Sequence, residues 1–233
     1  MKVDVVFIAK IDSSERERLF KQTIKSFYEN TNENLMGNVV VVNDNSGIDF
    51  IEKWIGDEIG STCLIVNNHP EIGVGGSKNK GINVIKKRSE LLYLADSDVY
   101  FMKGWLDRML GCYEVYKNEY KIIGGGVHPY LQPRLHEGNN EITSHDAISG
   151  WSWLLSYDTW TRYGKLADNS LGTGQSEDWE YCQRVRKDGF KVGCVQPQVI
   201  IHTGMTNTEG ADIVGREVSE ALAIGIKSDV LLL

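Results

Sequence analysis

Runs of β-branched and aliphatic residues alternate with amphipathic stretches along the first hundred positions, and that alternation predicts the elements. Residues 3–8 read as a buried strand. Ser14, with Glu17 three places on, has the form of a capping box. Leu19, Phe20, Ile24, Phe27 and Tyr28 then recur at helical spacing. Residues 39–42, all valine, form a second strand ending in the polar turn Asn43-Asp44-Asn45-Ser46-Gly47. Phe50, Ile51, Trp54 and Ile55 suggest a second helix, and residues 63–66 a third strand. Strand and helix in strict alternation predict an α/β fold with a mostly parallel central sheet flanked by helices.

The run 91–95, Leu-Leu-Tyr-Leu-Ala, is uncharged and short, as expected of a strand buried on both faces, and it stops at Asp96 and Asp98. Two carboxylates then stand at the carboxyl end of a central strand, the edge where open α/β sheets bind ligands. Hard oxygen donors there suit Mg²⁺ or Mn²⁺ carrying a substrate's phosphates. An acidic turn capping the next element is the plain alternative. Just upstream lies Glu71-Ile72-Gly73-Val74-Gly75-Gly76-Ser77-Lys78-Asn79-Lys80-Gly81. This segment fits neither the dinucleotide fingerprint nor the Walker A loop. It reads as a glycine loop leading to Ser77 as a helix N-cap, with Lys78 and Lys80 in the first turn and Ile82 and Ile85 facing inward. Cations at a helix N-terminus oppose the macrodipole, a placement that makes sense beside a bound diphosphate.

In the second half, residues 121–127 suggest a strand entering a glycine turn, and 128–140 a loop. Around 148–155 a further strand carries Trp151 and Trp153, two apart and so on one face, where they serve either as core or as a sugar-stacking surface. Ser176 is placed to cap a helix with Glu177, Asp178 and Glu180 in its first turn. His202 follows the apolar stretch 199–201 and is either structural or a metal ligand. Residues 205–212 have the polar, glycine-containing character of a lid, and 214–233 the spacing of a C-terminal helix.

Composition narrows the class. The 233 residues are 41% hydrophobic and 24% charged, enough for a real core and against disorder. A net charge of −7 disfavours duplex nucleic acid and anionic membrane surfaces. The four cysteines have no C-x-x-C spacing and suggest reduced, buried thiols. The N-terminus lacks a signal peptide's pattern and no run approaches membrane-spanning length, so a cytoplasmic protein is expected. Self-association is left open.

The order Asn43-Asp44-Asn45-Ser46, Gly73-x-x-x-Ser77-Lys78-Asn79-x-Gly81, Leu94-Ala95-Asp96-Ser97-Asp98 and Gly104-Trp105-Leu106 resembles the GT-A glycosyltransferases, particularly family 2, with Ser and Lys where that family usually has Ala and Arg. The resemblance implies the GT-A fold, with a nucleotide-sugar-binding half over 1–98 and an acceptor-binding half over 99–233. It implies transfer of a sugar from a nucleotide diphosphate sugar, UDP-sugar by frequency in the family, to an acceptor hydroxyl, with Mn²⁺ or Mg²⁺. On the matching positions, Ala9, Asp44, Gly73, Lys78, Asp96 and Ser97 would line the donor, and Asp96, Asp98 and His202 the metal. Trp151 and Trp153 would face the acceptor. Asp178, beside Glu177, would be the general base of an inverting reaction. A sugar nucleotidyltransferase is a rival reading, but its glycine-rich loop after the first strand is replaced here by Ala9-Lys10-Ile11-Asp12. A nucleotide-sugar-binding module without turnover is the non-enzyme alternative.

Overall fold

A computed structural model of the chain describes residues 1–46, 54–55, 63–68, 70–126, 135–167 and 177–204. Strand β1 (Val3–Ala9) is buried at every position, as its unbroken apolar run requires. It pairs in parallel with β2 (Met36–Asp44) on one side and β4 (Leu91–Asp96) on the other, and β3 (Cys63–Asn68) extends the parallel half beyond β2.

The second half is mixed rather than mostly parallel. Strand β9 (Ser152–Ser156) inserts antiparallel between β4 and β6 (Tyr120–Gly124). Next come β10 (Lys191–Val195), parallel to β6, then β8 (Ile142–His145) and the edge strand β7 (Leu135–Gly138), both joined antiparallel. Residues 135–138, expected as loop, are thus part of the nine-stranded sheet. A separate antiparallel ribbon joins β5 (Val99–Phe101) to β11 (Ile200–His202) and pairs Val99 with His202.

Helices cover both faces. Helix α1 (Ser14–Asn30) buries Leu19, Phe20, Ile24 and Phe27 as its spacing predicts. Its cap is Ser13, whose hydroxyl accepts from Arg16 N at 3.2 Å, one residue ahead of the expected box; Glu17 instead pairs with Lys21. With α3 (Trp105–Tyr116) it covers the aromatic cluster of Phe7, Phe27, Tyr93, Phe101 and Trp105. The opposite face carries α2 (Gly73–Val84), α4 (Tyr157–Tyr163) and α5 (Glu177–Lys187) over Val6, Ile82, Leu94, Trp153 and Tyr181. Gly81 lets α2 lie against β1 and β2, since a Cβ there would stand 2.4 Å from Val6 Cγ1.

Helix α2 starts earlier than its sequence suggests. Ile72 is the cap and donates its N–H to Asp44, Gly73 takes φ 75°, and Ser77 lies buried within the helix, accepting from Asn68 Nδ2 at 2.9 Å. Lys78 is therefore not a first-turn cation. Of the predicted 50–55 helix only Trp54 and Ile55 are described, and both are helical. The Ser176 cap, the 205–212 lid and the 214–233 helix lie outside the described residues. Cys112, Cys182 and Cys194 are buried and Cys63 partly so, all as free thiols.

Candidate active site

The carboxyl ends of β1, β2 and β4 lie side by side, with Ala9 opposite Asn43 and Ile8 opposite Asp96. The turn leaving β4 is pinned from α1: Thr23 Oγ1 donates to Ser97 O at 2.9 Å and accepts from Val99 N at 3.0 Å. That fixes Asp96, Ser97 and Asp98 relative to the sheet.

Asp98 meets His202 because the β5–β11 ribbon returns the chain to this turn. Oδ1 lies 3.4 Å from His202 Nε2, and the Asp98 carbonyl accepts from Thr203 N, Thr203 Oγ1 and Gly204 N. Gly204 has to be a glycine, for a Cβ there would stand 1.7 Å from Asp98 Oδ2. Burial opposes charge on both groups, but their mutual attraction prevails: the imidazole is held above its ordinary range and the carboxyl below. The Trp151 ring lies 5.5 Å from that of His202.

Lys78 is the other centre of charge. Its side chain is 1% exposed, and Nζ lies 2.8 Å from Gly150 O, 3.2 Å from Asp96 Oδ1 and 3.6 Å from Glu177 Oε1. Burial works against its charge, and Asp96, Glu177 and Asp178 outweigh it, holding the ammonium protonated beyond the usual range. Burial raises the Glu177 pKa although Lys78 opposes the shift. Gly150 N in turn donates to Asp178 Oδ2 at 3.0 Å, and Trp179 N to Asp178 Oδ1 at 2.6 Å.

The residues expected to line the donor lie at the same edge of the sheet. Asp44 Oδ1 accepts from Asn68 Nδ2 and Ile72 N, both at 3.0 Å, and so ties β3 and the start of α2 to β2. Ala9 is fully buried and offers its carbonyl to Ser46 Oγ at 3.4 Å. Gly73, at positive φ, turns the chain into α2.

The structure thus brings together Lys78, Asp96, Asp98, Glu177, Asp178, His202 and Trp151. Two expectations change. Lys78 does not lie open to a phosphate: protein acceptors surround it. Trp153 does not share a face with Trp151, because β9 begins at Ser152; Trp153 is 1% exposed, packs on Tyr181 and is core. Trp151 is also buried, so neither presents a free ring to an acceptor. Among the described residues Trp179, next to Asp178, is an exposed tryptophan, at 50%. Its place in an acidic first turn was readable in the sequence, but its exposure was not.

Among the described residues no group of three or more His, Cys, Asp or Glu is gathered to hold a metal. Apart from its contact with Lys78, the buried Asp96 Oδ1 accepts no hydrogen bond from the described residues. One carboxylate oxygen beside one imidazole nitrogen, with a second carboxylate two residues away, fits a divalent cation that keeps water and draws further ligands from a diphosphate.

Such an edge, on this sheet order, is that of a GT-A-type fold, and solved structures share it. A structure of GalNAc-T7 with UDP, GalNAc and Mn²⁺ matches at TM-score 0.68 and 14% identity over 87% of this chain and 44% of that one. Staphylococcus aureus TarS 1-349 with UDP-GlcNAc matches at 0.67 and 12%, over 89% and 60%. The mannosyltransferase PcManGT from Pyrobaculum calidifontis, with GDP-Man and Mn²⁺, matches at 0.63 and 14%, over 84% and 54%. The chain therefore spans about half the length of these proteins. No curated protein matches the sequence. The model of glycosyl transferase family 2 matches residues 13–191, and the chain belongs to that family. No helix among the described residues is long and apolar enough to cross a membrane.

Proposed function

We propose that this chain transfers a sugar from a nucleotide diphosphate sugar, UDP-sugar first, to an acceptor hydroxyl, in a metal-dependent, inverting reaction. Residues 1–98 hold the donor and 99–233 the acceptor. The observation that carries the reading is the convergence at the end of β4: Asp98 on His202, and Asp96, through Lys78, on Glu177 and Gly150, which holds Asp178. The nucleotides and Mn²⁺ bound by the structural neighbours support it.

A divalent cation bound by Asp98 and His202 would neutralise charge developing on the leaving diphosphate. Asp44 would accept from a base N–H, and Gly73 would let the backbone approach the nucleotide. Asp178, held by two backbone N–H donors, takes the acceptor hydroxyl's proton as the oxygen bonds to the anomeric carbon and the bond to the diphosphate breaks. Attack opposite the leaving group inverts the anomeric centre. Trp179 offers its exposed indole to the acceptor's ring. The free, largely buried thiols fit a reducing cytoplasmic compartment.

The test is release of free nucleoside diphosphate from a panel of UDP- and GDP-sugars with Mn²⁺ and candidate acceptors. Asp98→Ala is expected to abolish release while the fold, by circular dichroism, persists. Asp178→Ala is expected to abolish transfer and leave donor affinity in place. Full turnover by Asp98→Ala would overturn the proposal, and full transfer by Asp178→Ala would remove that residue as the base.

A further inference from the structure

Lys78 occupies a position where an exposed cation would be read as a phosphate contact, but its surroundings are those of a structural tie. Its side chain is 1% exposed, and Nζ is hydrogen-bonded to Gly150 O at 2.8 Å and flanked by Asp96 at 3.2 Å and Glu177 at 3.6 Å. Gly150 is the middle of the tie: its carbonyl accepts from Lys78 while its N–H donates to Asp178 Oδ2 at 3.0 Å. The space is closed there, since a Cβ on Gly150 would stand 3.0 Å from Lys78 Nζ and 3.2 Å from Asp178 Cβ. Nearby, a Cβ on Gly75 would stand 2.0 Å from Ala167 O and 3.2 Å from Glu177 Cβ, so α2 presses directly on the start of α5.

We infer that Lys78 is a positioning residue, a buried cationic strut that fixes the Asp96 carboxylate against the Gly150–Asp178 segment, and makes no contact with the donor's phosphates. A charge so enclosed leaves its partners for a ligand only by unpairing the buried Asp96 Oδ1 and the Glu177 carboxylate. It ties the donor half, through α2 and β4, to the acceptor half, through Gly150 and α5. Removing it leaves the nucleotide's contacts in place and loosens the distance between Asp96 and Asp178. The catalytic part of this inference rests on the reading of Asp178 as the base; the enclosure of Lys78 does not.

Two measurements separate those parts. Native protein is reductively methylated with formaldehyde and borohydride, with and without UDP and Mn²⁺, and modified lysines are located by mass spectrometry. Lys78 is expected to stay unmodified in both conditions, while Lys25, exposed on α1, is modified in both. Modification of Lys78 in free protein, with protection by UDP and Mn²⁺, would show a phosphate contact and overturn the inference. Lys78→Met is then expected to lower kcat about 100-fold, as a misplacement of about 1 Å does, with the Kd for UDP and Mn²⁺ changed by less than about threefold. The reverse split, weakened UDP binding with kcat retained, would overturn it. Should Lys78→Met not fold, Gly150→Ala keeps every charge and is expected to open Lys78 to methylation and lower kcat with UDP affinity kept; an unaltered kcat there also overturns the inference. If no nucleotide sugar is turned over by the wild-type chain, the proposed function fails, and the methylation pattern still decides the strut.

Discussion

Asp4, near the amino end of β1, is fully buried and its carboxylate gathers five donors. Oδ1 accepts from Asn38 N at 2.7 Å and from Asn38 Nδ2 and Ser89 Oγ at 2.8 Å; Oδ2 accepts from Ser89 N and Tyr157 OH at 2.8 Å. It thereby joins β2, the segment before β4, and α4 to the central strand. Asp4→Asn keeps the shape and replaces one acceptor by an NH₂ group. Hydroxyls of Ser89 and Tyr157 can rotate away, but a backbone N–H cannot: either amide orientation leaves Ser89 N or Asn38 N facing a donor. An unsatisfied buried donor costs about 1–3 kcal/mol, and the charge-assisted bonds are weakened as well, so a loss of about 3 kcal/mol is expected. For a chain of this size that lowers Tm by roughly 6–12 °C in a thermal melt. Asp4 pairs with Leu92 and lies four residues before Ile8, the partner of Asp96, so about 13 Å of strand separates it from the site. UDP affinity of the folded variant is expected to be unchanged. Tyr157→Phe, which removes one donor and strands none, is expected to cost about 1 kcal/mol. An Asp4→Asn variant within about 0.5 kcal/mol of wild type by urea denaturation would refute the account of that network.

The Asp98–His202 pair makes metal-free stability depend on pH in a defined sense. The raised His202 pKa stabilises the fold fully below about pH 6.5 and ceases to as pH rises through its folded value; the lowered Asp98 pKa stabilises above about pH 4 and ceases to as pH falls through its own. The Tm difference between wild type and Asp98→Asn in EDTA is thus expected to peak between those values, and a difference flat across pH would contradict the pairing. Gly204→Ala drives a methyl group into the Asp98 carboxylate and is expected to weaken Mn²⁺ binding at least about tenfold with the fold retained, measured calorimetrically. Trp179→Ala is expected to raise the acceptor KM by about 3–10-fold and leave the donor KM alone, and an unchanged acceptor KM would remove the stacking role.

Local pattern was enough for the elements of the first half of the chain. The valine-rich runs of β1 and β2, the apolar stripe of α1 and the abrupt stop of β4 at Asp96 each carry a short-range signature, because side-chain periodicity and β-branching act within a few residues. The start of α2 was not legible: Ile72 offers no side-chain cap, and the turn is made by Gly73 at positive φ together with Asp44, a residue from a different strand. Strand β9 begins at Ser152 and not near residue 148, so Trp151 stays outside it and packs in a different cluster from Trp153. The α/β class and the carboxylates at the sheet edge follow from local pattern. That β11 returns His202 to Asp98, and that Lys78 closes on Asp96, Glu177 and Gly150 instead of facing solvent, follows from packing. The physical reason is that those meetings depend on strand order and helix docking between segments far apart in the chain, and long-range pairing leaves no mark in local composition.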